Sequence, residues 1–250
     1  MKLTQFSILL NDNITIQGEC EGNSDSKKAI VFAHGFGVKR DSWGMFNQLG
    51  DLLKGDYLVV RFDFVEILEK DNATKVFPLS TQAEMLKAVC AYSKSKLGVA
   101  EINIIAHSQG CLVTGLLSPD DASKIILLAS PVESPYSRMK QYFASREGTE
   151  INEDGLSKIK RSDGSWTWVE AGFWDDIKSI DPAQLYSRLA AKTDLYFVRA
   201  MQDHVITDKN YESVKNDKNI NFLELPGDHN FAGDARDNWL GTMVDLLKGD

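Results

Sequence analysis

The sequence predicts an α/β fold: a mostly parallel sheet of about eight strands, helices on both faces, and a small insertion. Three observations carry this. Short, continuous apolar runs such as Ala29-Ile-Val-Phe-Ala33 are strands buried on both faces, as in a covered parallel sheet. Segments of helical periodicity separate these runs, the alternation expected of crossover units. A single long interruption, residues 131–181, stands between two core strands that one crossover helix would suffice to join.

In chain order, Leu3–Leu10 and Ile14–Cys20 read as a hairpin, because Asn11-Asp12-Asn13 between them favours a turn. Ala29–Ala33, Tyr57–Phe62, Ile102–Ala106, Ile125–Ala129, Leu195–Ala200 and Asn221–Leu225 supply the remaining strands. Helices are expected over Ser42–Leu53, Thr81–Leu97, Gln109–Leu117, Pro182–Ala191, Asn210–Lys215 and Asp237–Leu247, with Ser80 as the cap of the second and Glu84 in its first turn. The core is thus 1–130 and 182–250, and 131–181 is a cap.

The cap holds three of the five tryptophans, Trp166, Trp168 and Trp174. Its middle contains Asp163-Gly164 flanked by alternating residues, a hairpin signal for a two-residue turn. That turn predicts Arg161 opposite Trp166 and Ile159 opposite Trp168, on one face. Most cap aromatics (Tyr136, Tyr142, Phe143 and Phe173 among them) read as a small core, with two or three turned to the cleft. Lys158, Lys160 and Arg161 read most simply as a solvated hairpin face, with contact to an acidic substrate group as the alternative.

Composition narrows the function classes. With 43% hydrophobic and 26% charged residues the chain is ordinary globular material. A net charge of −8 argues against a nucleic-acid partner, which needs a basic footprint. No segment approaches the ~20 apolar residues of a membrane span, and the N-terminal apolar stretch is too short for a secretory signal. Three scattered cysteines, Cys20, Cys90 and Cys111, form neither a disulfide framework nor a metal motif. The expectation is a soluble cytoplasmic protein, monomer or homodimer, that acts on a small molecule without metal or cofactor.

The strand ending at Ala106 runs straight into His107-Ser108-Gln109-Gly110 and an apolar helix. A serine at such a strand-to-helix turn, small residue two before and glycine two after, matches a nucleophile elbow. A serine there can also be a plain helix cap. As a nucleophile it requires a base. Of four histidines, His107 is adjacent to the serine, His34 follows an earlier strand, and His204 adjoins Asp203, so His229 is the best base. Asp203 lies just past the strand Leu195–Ala200, on the same edge, and Asp208 is the reserve. Asp194 is at the wrong end of that strand, and Asp228 is too near the histidine. His34-Gly35-Phe36-Gly37 offers the Phe36 N–H, beside that of Gln109, as an oxyanion hole, and the Phe36 side chain as pocket wall. Cys111 reads as a buried helix residue.

With these residues in the order Ser108, Asp203, His229, the sequence resembles the α/β-hydrolase superfamily over nearly its whole length. It is most similar to small capped serine esterases of the cinnamoyl/feruloyl type, which carry His-Gly-Phe and His-Ser-Gln-Gly at matching places. Ala106 stands where the elbow pattern has its first glycine. Where that group has a glycine-rich loop after Arg61-Phe62-Asp63-Phe64, this chain reads Val65-Glu66-Ile67-Leu68-Glu69, which implies a differently built entrance. The resemblance implies an α/β-hydrolase fold and a carboxylesterase with triad Ser108, His229 and Asp203, cleaving a small-molecule ester through an acyl-enzyme. Phe36, Trp166, Trp168 and Trp174 are the expected substrate contacts. A peptidase, thioesterase or acyltransferase with the same triad, or a small-ligand receptor without turnover, remain alternatives at this point.

Overall fold

The computed structural model describes Lys2–Gly249. The chain opens with an antiparallel hairpin, β1 (Thr4–Asn11) and β2 (Ile14–Gly22). Then follow β3 (Lys28–Ala33), α1 (Met45–Leu53) and β4 (Leu58–Phe62). A small second hairpin comes next, β5 (Val65–Leu68) and β6 (Ala73–Val76), joined by a single 3-10 turn at Glu69–Asp71. Classical alternation resumes with α2 (Leu79–Leu97), β7 (Glu101–His107), α3 (Gln109–Leu117) and β8 (Ala122–Leu128). Residues 131–181, the segment read from the sequence as a cap, contain α4 (Tyr136–Ala144), β9 (Ser157–Lys160), β10 (Trp166–Val169) and α5 (Ala171–Ser179). The chain closes with α6 (Pro182–Ala190), β11 (Asp194–Ala200), α7 (Glu212–Lys215), β12 (Ile220–Leu225) and α8 (Ala235–Lys248).

The main sheet has eight strands in the order β1-β2-β4-β3-β7-β8-β11-β12. From β4 to β12 all neighbours are parallel, and β2 alone runs against them. Alternate residues of the central strands feed two cores, as the period of a pleated strand requires. On one face Val31, Ile104, Leu127 and Phe197 pack with residues of α2, α3 and α6. On the other, Phe32, Ile105, Leu128 and Val198 pack with α1 and α8. No described helix is long and apolar enough to cross a membrane.

A second sheet, ordered β5-β6-β10-β9, underlies the cap. Two of its four strands come from residues 65–76, before the insertion, because β10 pairs in parallel with β6. The segment that follows Phe64, β5, is therefore an edge of that second sheet.

Two local expectations are corrected. The hairpin turn has three residues, not two: Arg161 N–H donates to the Ser165 carbonyl, and Gly164 sits at φ +86. This is a type I turn closed by a left-handed glycine, the usual three-residue alternative. It shifts the register by one, setting Trp166 opposite Lys160 and Trp168 opposite Lys158. The shift moves both tryptophans to the outer face with the lysines, while Ile159, Thr167 and Val169 point inward and are buried. Ser80 is also not a cap. It lies inside α2, and its N–H and Oγ–H both donate to the Asp176 carboxylate of α5, each at 2.8 Å. An anion from the cap thus satisfies the helix's first turn.

Candidate active site

Strand pairing brings the site together. Ala33 is level with Ala106 and His107 with Leu128, while Ala200 is level with Leu225. The turns that follow β3, β7, β11 and β12 therefore open on one edge, and these carry Phe36, Ser108, Asp203 and His229.

Ser108 has φ 56 and ψ −119, a conformation that costs a residue with a side chain of order 1–3 kcal/mol. Its neighbours hold it there: its N–H donates to the Leu128 carbonyl, and its carbonyl accepts from Cys111 N–H. The hydroxyl does not cap α3, so the plain helix-cap reading fails. It lies 3.0 Å from His229 Nε2 instead. His229 Nδ1 is 2.7 Å from Asp203 Oδ2, and Asp203 Oδ1 accepts the Val205 and Ile206 N–H groups. Burial acts to raise the Asp203 pKa, but the bond and charge of His229 and the two amides outweigh it and the net shift is downward. A carboxylate held in this way fixes the imidazole with Nδ1 protonated, leaving Nε2 to accept from serine.

Glycines set the clearances. A Cβ on Gly110 would lie 2.2 Å from the Ala33 carbonyl oxygen, so α3 packs directly on the end of β3. A Cβ on Gly35 would lie 3.3 Å from Ser108 Cβ, which places the Phe36 loop against the elbow. Neither the Phe36 N–H nor the Gln109 N–H has a hydrogen-bond partner among the described residues. The latter is the first N–H of α3, with no carbonyl available inside its helix.

Two of the other histidines, His34 and His107, hold backbone around the site. His34 donates from Nδ1 to the Gly35 carbonyl and accepts the Phe64 N–H at Nε2, pinning the loop to the end of β4. Burial lowers its pKa. His107 donates from Nε2 to the His229 carbonyl at 2.8 Å, and burial, with the repulsion of His229, pushes its pKa down to about 3. His204 is exposed at the cavity wall. Asp208, the reserve acid, is committed elsewhere: it accepts the Val132 and Glu133 N–H groups and pairs with Arg138, tying the start of the cap to the loop after β11.

A cavity of about 380 Å³ opens on Ser108 and His229. Phe36 lines it, stacked on Phe143 at 4.9 Å between ring centroids. Trp166, Trp168 and Trp174 do not line it, which corrects their expected role. The register shift turns the first two outward, with Lys160 4.3 Å from the Trp166 ring centroid. Trp174 is fully buried in the cap, its indole N–H donating to Ser157 Oγ. Their place is taken by Met139, Tyr142 and Phe143 of α4, together with Arg138, Arg146 and Arg161. Sequence reasoning assigned α4 no helix, although Tyr136, Met139 and Phe143 after Pro135 have the spacing of one helical face. Among the described residues, no group of three metal-ligating side chains is present.

No family model matches the chain, and no curated protein matches it. Solved structures do. The esterase domain of a Rhodothermus marinus protein is similar at a TM-score of 0.70 and 15% identity, over 99% of this chain and 98% of that one. Est1E from Butyrivibrio proteoclasticus, solved with ferulic acid bound, gives 0.69 and 16% over 97% and 99%. The Pyrococcus furiosus esterase Pf2001 gives 0.66 and 16% over 99% and 90%. With the eight-stranded sheet and its crossover helices, this likeness establishes that the chain has the α/β-hydrolase fold.

Proposed function

We propose that this α/β-hydrolase fold carries a carboxylic ester hydrolase of the serine type. The observation that supports it above all is the continuous chain from Asp203 through His229 to the Ser108 hydroxyl, 2.7 and 3.0 Å, ending in a cavity. The likeness to three esterases supports the same reading.

In the proposed reaction Ser108 Oγ attacks the acyl carbonyl while His229 Nε2 takes its proton. Asp203 keeps the imidazole oriented and offsets the charge that forms on it. The Phe36 and Gln109 N–H groups receive the oxyanion, each contributing on the order of 10²-fold to the rate. The alcohol leaves with the proton from His229, and the acyl group stays on Ser108. Water, deprotonated by the same imidazole, then releases the acid. Phe36, Met139 and Phe143 suit a medium-length or aromatic acyl group. Three buried, unpaired cysteines fit a reducing compartment such as the cytoplasm.

Turnover of p-nitrophenyl butyrate tests the reading. Ser108→Ala is expected to lower kcat by on the order of 10⁵-fold or more and to abolish labelling by a fluorophosphonate probe. A folded Ser108→Ala protein that keeps the wild-type rate would overturn the mechanism.

A further inference from the structure

The cavity beside Ser108 is lined by Arg138, Arg146 and Arg161, and no described aspartate or glutamate lines it. The chain as a whole carries 36 acidic and 28 basic residues, so the cavity reverses the sign of the molecule around it. A cleft with low-dielectric walls focuses such a local field.

The three guanidinium groups are unequally matched. Arg138 pairs with Asp208, although its second terminal nitrogen is buried without a partner. Arg146 donates to two neutral acceptors, the Lys160 carbonyl and the Tyr142 hydroxyl, and lies over the Tyr142 ring. The half-buried Arg161 guanidinium makes no hydrogen bond and no ion pair among the described residues. Its nearest sequence neighbour of opposite charge, Asp163, turns one carboxylate oxygen to the Ser165 N–H and Oγ–H. Burial and the adjacent Arg146 act against the Arg161 charge and outweigh the support of Asp163 and Tyr142, so its pKa is lowered. A desolvated cation beside another cation is unfavourable unless an anion answers it. Strand alternation sets Arg161 on the inward face with the buried Ile159, toward Gly37 and the cavity.

We propose that the substrate is an anionic ester, whose carboxylate or phosphate group docks on Arg161 and Arg146 while its ester carbonyl lies at Ser108. The planar fork of a guanidinium matches the paired oxygens of either group. Arg161 also borders, with Val38 and Trp43, a neighbouring cavity of about 480 Å³ whose wall carries Asp41, Glu69 and Asp163. The anion is therefore confined to the Ser108 side, and only an uncharged or cationic part of the substrate suits the far side. The assignment rests on Ser108 being the nucleophile, and its test separates the two.

Matched esters read the charge preference on each side of the scissile bond: mono-p-nitrophenyl adipate against p-nitrophenyl hexanoate, and 4-carboxyphenyl butyrate against phenyl butyrate. At least one charged member should exceed its neutral partner in kcat/KM by roughly tenfold or more. Arg161→Gln should bring that ratio down by a similar factor, and Arg161→Lys should keep part of it. Lys158→Gln, the same charge change on the exposed outer face of the hairpin, should leave the ratio as it is. Calorimetry with adipate and with phenyl phosphate, on wild type and Ser108→Ala, distinguishes carboxylate from phosphate and needs no turnover. Binding that weakens roughly tenfold in Arg161→Gln supports the site even if Ser108→Ala retains hydrolysis, which would overturn only the nucleophile. Ratios near one in both ester pairs, or anion binding indifferent to Arg161, would overturn the anion site.

Discussion

At the rim of the main sheet, Phe36, Ser108, Asp203 and His229 stand on turns that each follow a parallel strand directly. At the cap opposite, α4 and the β9–β10 hairpin reach the cavity through a sheet assembled from two distant stretches of chain. The rim is crowded with short backbone contacts and constrained torsions; the cap is held by the sheet it shares with β6 and by buried apolar side chains, with carboxylates fastening its ends. Asp208 ties its start and Asp176 ties α5 to α2. The difference teaches that positions on the rim are limited by space, and the ends and turns of the cap by charge and torsion.

The sharpest way to break this contrast is Gly110→Ala. Its Cβ would meet the Ala33 and His34 carbonyl oxygens at 2.2 and 2.7 Å, backbone atoms that cannot swing away. Unfolding in urea should show a loss of about 4 kcal/mol or more, at the upper end of single substitutions. A loss under 1 kcal/mol would mean that the elbow is slack. Asp208→Ala comes next. It leaves the Arg138 charge and two cap N–H groups unanswered, and should cost about 3 kcal/mol in the same measurement. An effect near zero would deny the carboxylate its anchoring role.

Acid sharpens the contrast from the rim side. The His107 pKa is about 3 in the folded chain, below the ordinary value of 6.5. Below pH 6.5 the unfolded chain therefore binds a proton that the folded chain refuses. Stability is fully present above that value and falls as pH drops toward 3, by about 2 kcal/mol between pH 7 and 5. His34, shifted the same way by burial, adds to the slope. Urea unfolding across this range should show the slope, and His107→Gln, which keeps a donor for the His229 carbonyl, should flatten it. Parallel pH profiles for the two proteins would remove His107 from the account.

Legibility followed the same divide. Ser108 and its strand-to-helix setting were readable because the elbow is a local motif, and His229 and Asp203 because parallel strands put their following turns on one edge. The main strands were readable from continuous apolar runs such as Ile102–Ala106. β5 and β6 were not: each has four residues, and Glu66 and Lys75 interrupt their apolar character. Their partner β10 lies about ninety residues on, a pairing that no local pattern announces. The cavity's arginines were missed for a different reason. Arg161 was noticed but read with Lys158 and Lys160 as one solvated face, although strand alternation sets it with the buried Ile159, on the face opposite the two lysines.

The turn of the β9–β10 hairpin carries the smallest effect and the cleanest comparison. Gly164, like Gly110, is a glycine at a tight point, but a Cβ there would meet nothing within 4 Å. Its requirement is torsional, φ +86, which closes the loop so that Arg161 N–H reaches the Ser165 carbonyl at 2.9 Å. Gly164→Ala should therefore cost about 1 kcal/mol, the penalty of a left-handed residue with a side chain, and lower Tm by about 2–4 °C. Gly164→Asn should recover part of it, because asparagine tolerates that region better. If alanine at 164 destabilised as much as alanine at 110, or asparagine rescued nothing, the hairpin would be limited by packing like the rim.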